Sequence, residues 1–231
     1  MATVEHRHQH FGQAAEDYLK AIFKLQGDKP VSTNRLAEAL NVSPAAVTKA
    51  VRQLADKDLV VHRPYRGVSL TADGRKAALE ILRHHRLLER FLHDVLGYGW
   101  DEVDEEAERL EHHISEKFEA RIDRLLNYPK FDPHGDPIPS EDGEIADQPG
   151  RPLADCERED TVVVLRVKDG DPAVLQYLQG LGMRLGARIE VLDKQPFHGP
   201  LTLRIDSADR SIGRELAAHV FVGSPRDLAT V

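Results

Sequence analysis

Two glutamates and a histidine near the middle of the chain have the spacing of metal ligands. Asp104, Glu108, Glu111, His112 and Ser115 share one side of a predicted helix, which turns by about 100° per residue. A separate apolar stripe of the same helix is expected to face the core and comprises Val103, Ala107, Leu110, Ile114 and Phe118. Carboxylates crowded this closely repel one another unless a cation lies among them. The pattern therefore predicts a cation site.

The residue types available limit which metal the chain could hold. A single cysteine, Cys156, excludes an intramolecular disulfide framework and any cysteine-rich zinc or iron–sulfur site. Imidazole and carboxylate ligands suit divalent Mn, Fe, Zn or Co, and the excess of carboxylates favours Mn(II) or Fe(II). Because affinity alone does not select the physiological metal at such a site, we expect Zn(II), Co(II), Ni(II) or Cd(II) to substitute in vitro.

Further ligands are predicted on two other helices. In a helix from Ala72 to about Leu96, His85 shares an apolar strip with Ile81, Leu88 and Leu92, which predicts a histidine in the core. A lone histidine there is more often a hydrogen-bonded core residue, but the neighbouring Glu, Glu, His strip favours coordination. Glu89, one turn further, and Asp17, on the first helix, are additional carboxylates whose alternative role is surface charge.

The charge of the chain is unevenly distributed. The net charge is −8, yet residues 1–76 carry 12 Lys and Arg against 8 Asp and Glu, whereas residues 77–145 carry 8 against 18. A basic segment beside an acidic one suggests two partners, a polyanion and a cation. No apolar run approaches the roughly 20 residues that span a bilayer, and Met1 to His10 are unlike a secretory signal. We therefore expect a cytoplasmic protein with no membrane partner.

The basic segment has the signals of a winged helix-turn-helix. Three amphipathic helices are predicted, over Gln13–Gln26, Arg35–Leu40 and Ser43 to about Lys57. A three-residue turn joins the last two, where Ser43 is a good N-cap and Pro44 fits the first helical position. Two β-prone runs follow, Leu59–Arg63 and Val68–Leu70, and the turn between them, Pro64–Gly67, predicts a hairpin wing.

In a helix-turn-helix the second helix enters the major groove, and its N-terminal end reaches the base edges. The DNA-contacting residues predicted on this helix are Ser43, Pro44, Ala45, Ala46, Thr48, Lys49 and Arg52. Arg63 and Arg66 on the wing are expected to meet phosphates or a minor groove. The alternative is a three-helix core whose basic residues are merely solvated; the turn, cap, wing and charge together favour DNA binding.

The remaining segments predict an α+β protein. Two long helices, Ala72–Leu96 and Asp101–Asn127, would form a helical domain for metal binding and dimerisation over residues 77–145. Phe131–Pro152, rich in proline and glycine, has the composition of a linker or exposed loop. The winged helix-turn-helix domain is expected over 1–76. Beyond a linker over residues 146–160, the β-prone runs Thr161–Val167, Ala187–Leu192 and Leu201–Ile205 predict a small β-barrel over 161–231.

Several of these motifs together resemble the DtxR family of metal-dependent transcriptional repressors. The match covers residues 13–139 and is carried by Tyr18–Ile22, Leu36-Ala37 through Val47-Thr48, Leu59-Val60, Tyr65–Thr71, His85–Glu89 and Leu110–His112. The C-terminal part is similar to the SH3-like FeoA domain of the family through Leu175–Gly186. The resemblance therefore implies that the barrel is SH3-like.

The resemblance also implies a ligand set. Asp17, Glu108, Glu111 and His112 would form one metal site, and His85 and Glu89 would contribute to an adjacent one. Asp104 stands where iron-type members have a histidine ligand, and Asp171 is the nearest candidate for a ligand from the C-terminal domain. Asp17 and Glu108, in place of the Met and Cys of iron-type members, are typical of the manganese-responsive branch, whereas Lys20 replaces a carboxylate of that branch.

The function implied by the resemblance is that of a homodimeric repressor without enzymatic activity. Binding of Mn(II) or Fe(II) would fix the arrangement competent to bind palindromic operators of metal-uptake genes. One alternative is a winged-helix regulator that senses a small organic ligand, independently of metal. Another is a metallohydrolase, although the chain has no H-E-x-x-H motif, nucleophile elbow or P-loop.

Overall fold

The structure is a computed structural model that describes residues 11–27, 29–148, 150–168 and 170–227. The chain divides into two compact units, with the boundary between Leu82 and Arg83. Met1 to His10, which we interpreted as unlike a secretory signal, lie outside the described residues. Within the described ranges, no helix has both the length and the apolar character needed to cross a membrane.

Three short helices form the core of the first unit, as predicted. They are α1 (Gln13–Leu25), α2 (Thr33–Ala39) and α3 (Pro44–Ala55). The side chain of Ser32 caps α2, and that of Ser43 caps α3 by accepting a hydrogen bond from the backbone N–H of Ala46. Leu19, Ile22 and Leu36 pack in the core that these helices share. Local caps and apolar spacing therefore determine this part of the fold.

The predicted wing is also present. Strand β1 (Val60–Arg63) pairs antiparallel with β2 (Gly67–Leu70). Gly67 has φ 103°, and a Cβ atom on it would lie 2.5 Å from the carbonyl oxygen of Val31. Glycine is therefore required at this position, because only its missing side chain lets the wing approach the segment that precedes α2.

Helix α4 (Ala72–Asp94) leads into two helices where one was predicted. The expected helix over 101–127 is broken into α5 (Val103–Leu110) and α6 (Glu116–Leu125). The break is fixed by Ser115, whose hydroxyl accepts a hydrogen bond from the backbone N–H of Phe118 and so begins α6. Ser115 is thus a cap, and Phe118, predicted in the core, is 44% exposed.

The C-terminal part of the second unit is a six-stranded antiparallel sheet with strand order β3-β8-β4-β5-β6-β7. The strands are β3 (Arg151–Pro152), β4 (Thr161–Val167), β5 (Arg188–Lys194), β6 (Leu201–Ile205), β7 (Ala208–Ile212) and β8 (Val220–Gly223). Helices α7 (Pro172–Gly180) and α8 (Arg214–Ala217) lie between strands in the sequence. The predicted bounds of β4 and β6 are confirmed; β3, β7 and β8 were not predicted.

The predicted domain boundaries stay predictions, but the structure adds detail to the segment 131–160. Residues 132–139, expected in a linker or exposed loop, are buried. The loop is held by a backbone hydrogen bond from Val167 on β4 to His134. Further along, β3 pairs with β8, and Leu153 and Cys156 lie in the core of the sheet. These contacts join residues far apart in the sequence, which composition alone does not reveal.

Candidate metal centre and DNA-reading surface

His85 on α4 is the centre of the candidate metal region. It is 1% exposed, as its place on an apolar strip predicted. Its Nδ1 lies 2.6 Å from Oε2 of Glu111 and 3.6 Å from Oε2 of Glu108. Its Nε2 lies 3.2 Å from Oδ1 of Asp104 and 3.6 Å from Oε1 of Glu89. The two ring nitrogens therefore face two different pairs of carboxylates.

Each of these pairs could bind a metal ion together with His85. In the group His85, Glu108, Glu111 and in the group His85, Glu89, Asp104, the ligand atoms lie within 4.8 Å of one another. A metal-bound imidazole uses one nitrogen for the ion and donates the N–H of the other to a carboxylate or carbonyl. An ion in one group would therefore leave the carboxylates of the other to orient the ring.

Glu111 and His112 follow the last residue of α5. Both are buried, and His112 Nε2 lies 3.2 Å from Oε1 of Glu111. Glu108, one turn earlier, keeps its side chain 47% exposed. The buried side chains of Glu111 and His112 could bind an ion that the solvent-accessible carboxylate of Glu108 takes up from solution. Carboxylate oxygen and imidazole nitrogen ligands fit Mn(II) or Fe(II).

A third group joins Glu89, which was predicted as a ligand, with Asp132 and His134, which were not. All three side chains are fully buried, and their ligand atoms also lie within 4.8 Å of one another. Asp132 Oδ1 accepts hydrogen bonds from the backbone N–H groups of His134 and Asp136, at 2.8 and 2.9 Å. His134 Nδ1 lies 3.6 Å from Oε1 of Glu89. The sequence signal was the Asp-Pro-His run, in a segment that we interpreted as a linker or exposed loop.

Burying two carboxylates is costly unless positive charge compensates them. Arg86 supplies part of it, because its Nε lies 3.5 Å from Oδ2 of Asp132 and its Nη1 donates to the carbonyl oxygen of Pro137 at 2.5 Å. Among the described residues, Oδ2 of Asp132 has no hydrogen-bond partner. A buried carboxylate oxygen beside Glu89 and His134 fits a divalent cation as a further compensating charge.

A fourth group, His84, Glu116 and Glu119, has metal-like spacing but is an ion-pair network. The two oxygens of Glu119 are occupied by Nε of Arg83 at 2.5 Å and Nε2 of His84 at 2.9 Å. Arg83 also donates to Asp123 at 2.8 Å. Burial raises the pKa of Glu119, but the hydrogen bonds and charges of His84 and Arg83 outweigh it, so that the pKa lies below its ordinary value.

Two predicted ligands lie on other elements. Asp17 is half-buried on α1 of the first unit, and its role as a ligand stays a prediction. Asp171 is exposed and is the N-cap of α7, where its Oδ1 accepts a hydrogen bond from the backbone N–H of Ala173 at 2.9 Å. Within the described ranges, Asp171 belongs to none of the metal-like groups. Its position therefore explains its residue type without a metal ion.

The predicted DNA-reading residues form an exposed surface. Those that are exposed comprise Ser43, Pro44, Ala45, Ala46, Lys49 and Arg52 on α3 and its cap, and Arg63 and Arg66 on the wing. Thr48 is half-buried, and its hydroxyl donates to the carbonyl oxygen of Pro44 at 2.9 Å. The opposite face of α3, with Val47, Val51 and Leu54, is buried. The helix thus presents small and basic residues to solvent, as a reading helix requires, while DNA contact itself stays a prediction.

A winged helix-turn-helix combined with a helical segment that buries histidine and carboxylate groups defines a class of metal-binding transcription regulators. Three family matches cover most of the chain. Residues 10–68 match the iron dependent repressor N-terminal DNA binding domain, residues 71–140 the iron dependent repressor metal binding and dimerisation domain, and residues 151–223 the FeoA domain. The chain belongs to the DtxR family of metal-dependent transcriptional repressors, and the predicted family and fold class are confirmed.

Curated relatives carry the names of iron-dependent regulators. The chain is 35% identical over 166 residues to the iron-dependent repressor IdeR of Mycobacterium leprae. The aligned region covers 71% of this chain and 70% of the relative. It is 31% identical over 192 residues to the diphtheria toxin repressor of Corynebacterium glutamicum, covering 78% and 84%.

Similar solved structures carry the names of manganese regulators. A manganese-dependent transcriptional repressor in complex with manganese has a TM-score of 0.82 and 44% identity, over 91% of this chain and 99% of that one. ScaR with bound Zn²⁺ has a TM-score of 0.75 and 34% identity, over 91% and 99%. Relatives therefore include both iron- and manganese-dependent repressors, in line with the predicted choice between these metals.

Proposed function

We propose that this protein is a homodimeric repressor that binds operator DNA when Mn(II) or Fe(II) is bound by Glu108, Glu111 and His112. The observation that carries the proposal is the convergence of Glu108 and Glu111 beside Nδ1 of His85, with Nε2 of His112 3.2 Å from Oε1 of Glu111. Carboxylates so placed attract a cation, and the ion in turn offsets the cost of burying them.

Asp17 connects the metal to DNA binding in this proposal. The resemblance assigns this carboxylate, on α1 of the DNA-binding segment, to the same ligand set. An ion bound by Asp17 together with Glu108, Glu111 and His112 would bind the DNA-competent arrangement of the protein more tightly than its other arrangements. By thermodynamic linkage, the ion then raises DNA affinity by the same factor by which DNA raises metal affinity.

Manganese is the first candidate for the physiological metal. Asp17 and Glu108 are hard oxygen donors, which favour Mn(II) over softer ions. Four of the structural relatives are named for manganese, whereas curated relatives are named for iron.

We propose a second, adjacent metal site formed by Glu89, Asp132 and His134. His85 and Asp104 would contribute to this second site when they do not serve the first.

The homodimer would use apolar residues that α6 leaves exposed. Phe118 is 44% and Leu125 64% exposed, and the turn after α6 adds Tyr128 at 61%. The family matched by this segment is described as metal binding and dimerisation. A two-fold dimer would present two copies of α3, which predicts a palindromic operator with half-sites about one or more duplex turns apart.

The proposal is tested by metal-dependent DNA binding. A duplex selected from a random-sequence pool in the presence of Mn(II) serves as the probe, and its affinity is measured by fluorescence anisotropy at fixed salt, with Mn(II) or with EDTA. We expect Mn(II) to raise the affinity of the wild type, and Glu108→Ala and His112→Ala to abolish the increase. Glu105→Ala is the matched control, because Glu105 lies on the same helix and pairs with Arg109 instead.

Retention of the metal response in both ligand variants would refute the ligand set. Selection of DNA whose affinity does not depend on Mn(II), Fe(II) or Zn(II) would instead favour the regulator that senses a small organic ligand. The family is one of repressors and not of enzymes, so esterase and peptidase screens with added Mn(II) or Zn(II) are expected to show no activity. We propose that the protein acts in the cytoplasm, where its operator DNA lies.

A further inference from the structure

Trp100 is the single tryptophan of the chain and makes three contacts with the loop that carries Asp132 and His134. Its indole stacks on the imidazole of His134, with ring centroids 5.6 Å apart and planes 18° apart. Its Nε1–H donates to the carbonyl oxygen of Pro133 at 2.8 Å. Its own carbonyl oxygen lies 2.8 Å from Nε2 of His134. The side chain and the backbone of Trp100 therefore both fix the position of the His134 ring.

The last contact determines which nitrogen of His134 carries hydrogen. A carbonyl oxygen can only accept, so Nε2 of His134 must donate. In the neutral ring Nδ1 then presents its lone pair, and this atom lies on the side of Glu89, 3.6 Å from Oε1. Metal-binding histidines have this arrangement, in which one nitrogen binds the ion and a hydrogen bond from the other fixes the tautomer and the ring orientation.

We infer that Trp100 is a positioning residue of the second metal site: it orients His134 so that Nδ1 points to an ion held by Glu89 and Asp132. The inference rests on the proposed function, because it takes this group to bind metal. Trp100 itself touches no ion; it acts through the ring it stacks on and the loop it anchors at Pro133. Its indole is also placed to report, through its fluorescence, whether the site beside it is occupied.

Calorimetric titration with Mn(II) alone tests the positioning role in the full-length protein. Outer-shell partners of metal ligands typically change affinity by about 10- to 100-fold, and we expect Trp100→Leu to weaken the second binding event by that factor. Trp100→Phe keeps a ring to stack on His134 but loses the donor to Pro133, and we expect a smaller loss. Tyr98→Leu is the matched control, since Tyr98 lies two residues away and is 37% exposed.

Because Trp100 is also part of the core, circular dichroism checks that each variant is folded. A folded Trp100→Leu variant with both binding events unchanged would overturn the inference. A wild type that binds no Mn(II) would refute the proposed function instead. A single Mn(II) binding event in the wild type that disappears in Glu108→Ala would support the first metal site and overturn the second.

The fluorescence of the wild type gives a test that needs no substitution in the core. We expect Mn(II) to produce a saturable change in Trp100 emission, which His134→Ala abolishes and Glu108→Ala retains. Persistence of the change with the same midpoint in His134→Ala, or its absence in a wild type that binds two ions by calorimetry, would contradict the inference.

Discussion

Gly135 offers the sharpest test of how the buried loop would hold the proposed second metal site. It has φ +91°, and a Cβ atom would lie 2.1 Å from the carbonyl oxygen of Leu165 and 2.8 Å from the Cα of Arg166. Both are backbone atoms of β4, so neither can move aside cheaply. Gly135→Ala therefore combines two costs, a strained backbone and a steric overlap.

Gly143 separates these two costs. It has φ +79°, but a Cβ atom there would meet nothing within 4 Å. A left-handed backbone costs a residue other than glycine about 1–2 kcal/mol, and this is the loss of stability expected for Gly143→Ala. Overpacking adds about 1–3 kcal/mol, so Gly135→Ala is expected to lose about 2–5 kcal/mol.

The assay is urea unfolding followed by circular dichroism, with Mn(II) calorimetry on the same samples. Since the loop carries Asp132 and His134, its displacement in Gly135→Ala should also remove the second binding event, whereas Gly143→Ala should retain it. Equal stability of the two variants, or two unchanged binding events in Gly135→Ala, would refute the account of the loop.

Three further predictions concern the buried network and the DNA-reading surface. Arg83→Met leaves Glu119 without the guanidinium that pairs with it, and should cost about 3–5 kcal/mol in urea unfolding. Arg90→Met is the control: it breaks the partly exposed ion pair between Arg90 and Asp94 and should cost less than about 1 kcal/mol. The pKa of Glu119 is lowered in the folded state. This carboxylate therefore stabilises the fold at pH values above its ordinary pKa, and the contribution is lost as the pH falls through the lowered pKa. In Glu119→Gln, the free energy of unfolding should accordingly fall less steeply as the pH is lowered. Lys49→Ala and Arg52→Ala should each weaken operator binding, and the loss of a phosphate contact should lower the slope of log affinity against log salt concentration by about 1. Unchanged operator affinity of both variants in anisotropy titrations would refute the assignment of α3 as the DNA-reading helix.

Local signals sufficed to predict the DNA-binding segment. Ser43 and Pro44 mark the start of α3, and the spacing of Val47, Val51 and Leu54 gives its buried face. The wing follows from two β-prone runs around a turn. In each case the information lies within a few residues of the feature it determines.

The first metal group was predictable only in part. His85 lies on an apolar strip, so its burial was predicted correctly, and the Glu108 and Glu111 spacing placed two carboxylates together. The break after α5 was missed because apolar spacing continues through it to Ile114 and Phe118, and the capping hydroxyl of Ser115 was interpreted as part of the strip.

Two members of the second metal group, Asp132 and His134, were not predicted, because their burial depends on contacts distant in sequence. Asp132 and His134 lie in a proline- and glycine-rich segment whose composition indicates exposure. Their burial comes from Trp100, from Arg86 on α4 and from β4, at separations of 33 to 46 residues along the chain. No local pattern records such contacts.

The most direct test of the central claim is the affinity for the selected duplex at fixed salt, with saturating Mn(II) and with EDTA, in the wild type and in Glu108→Ala. We expect a tighter complex with Mn(II) in the wild type and the same weak affinity under both conditions in Glu108→Ala. Equal affinity with and without the ion in the wild type, or a full response in Glu108→Ala, would contradict it.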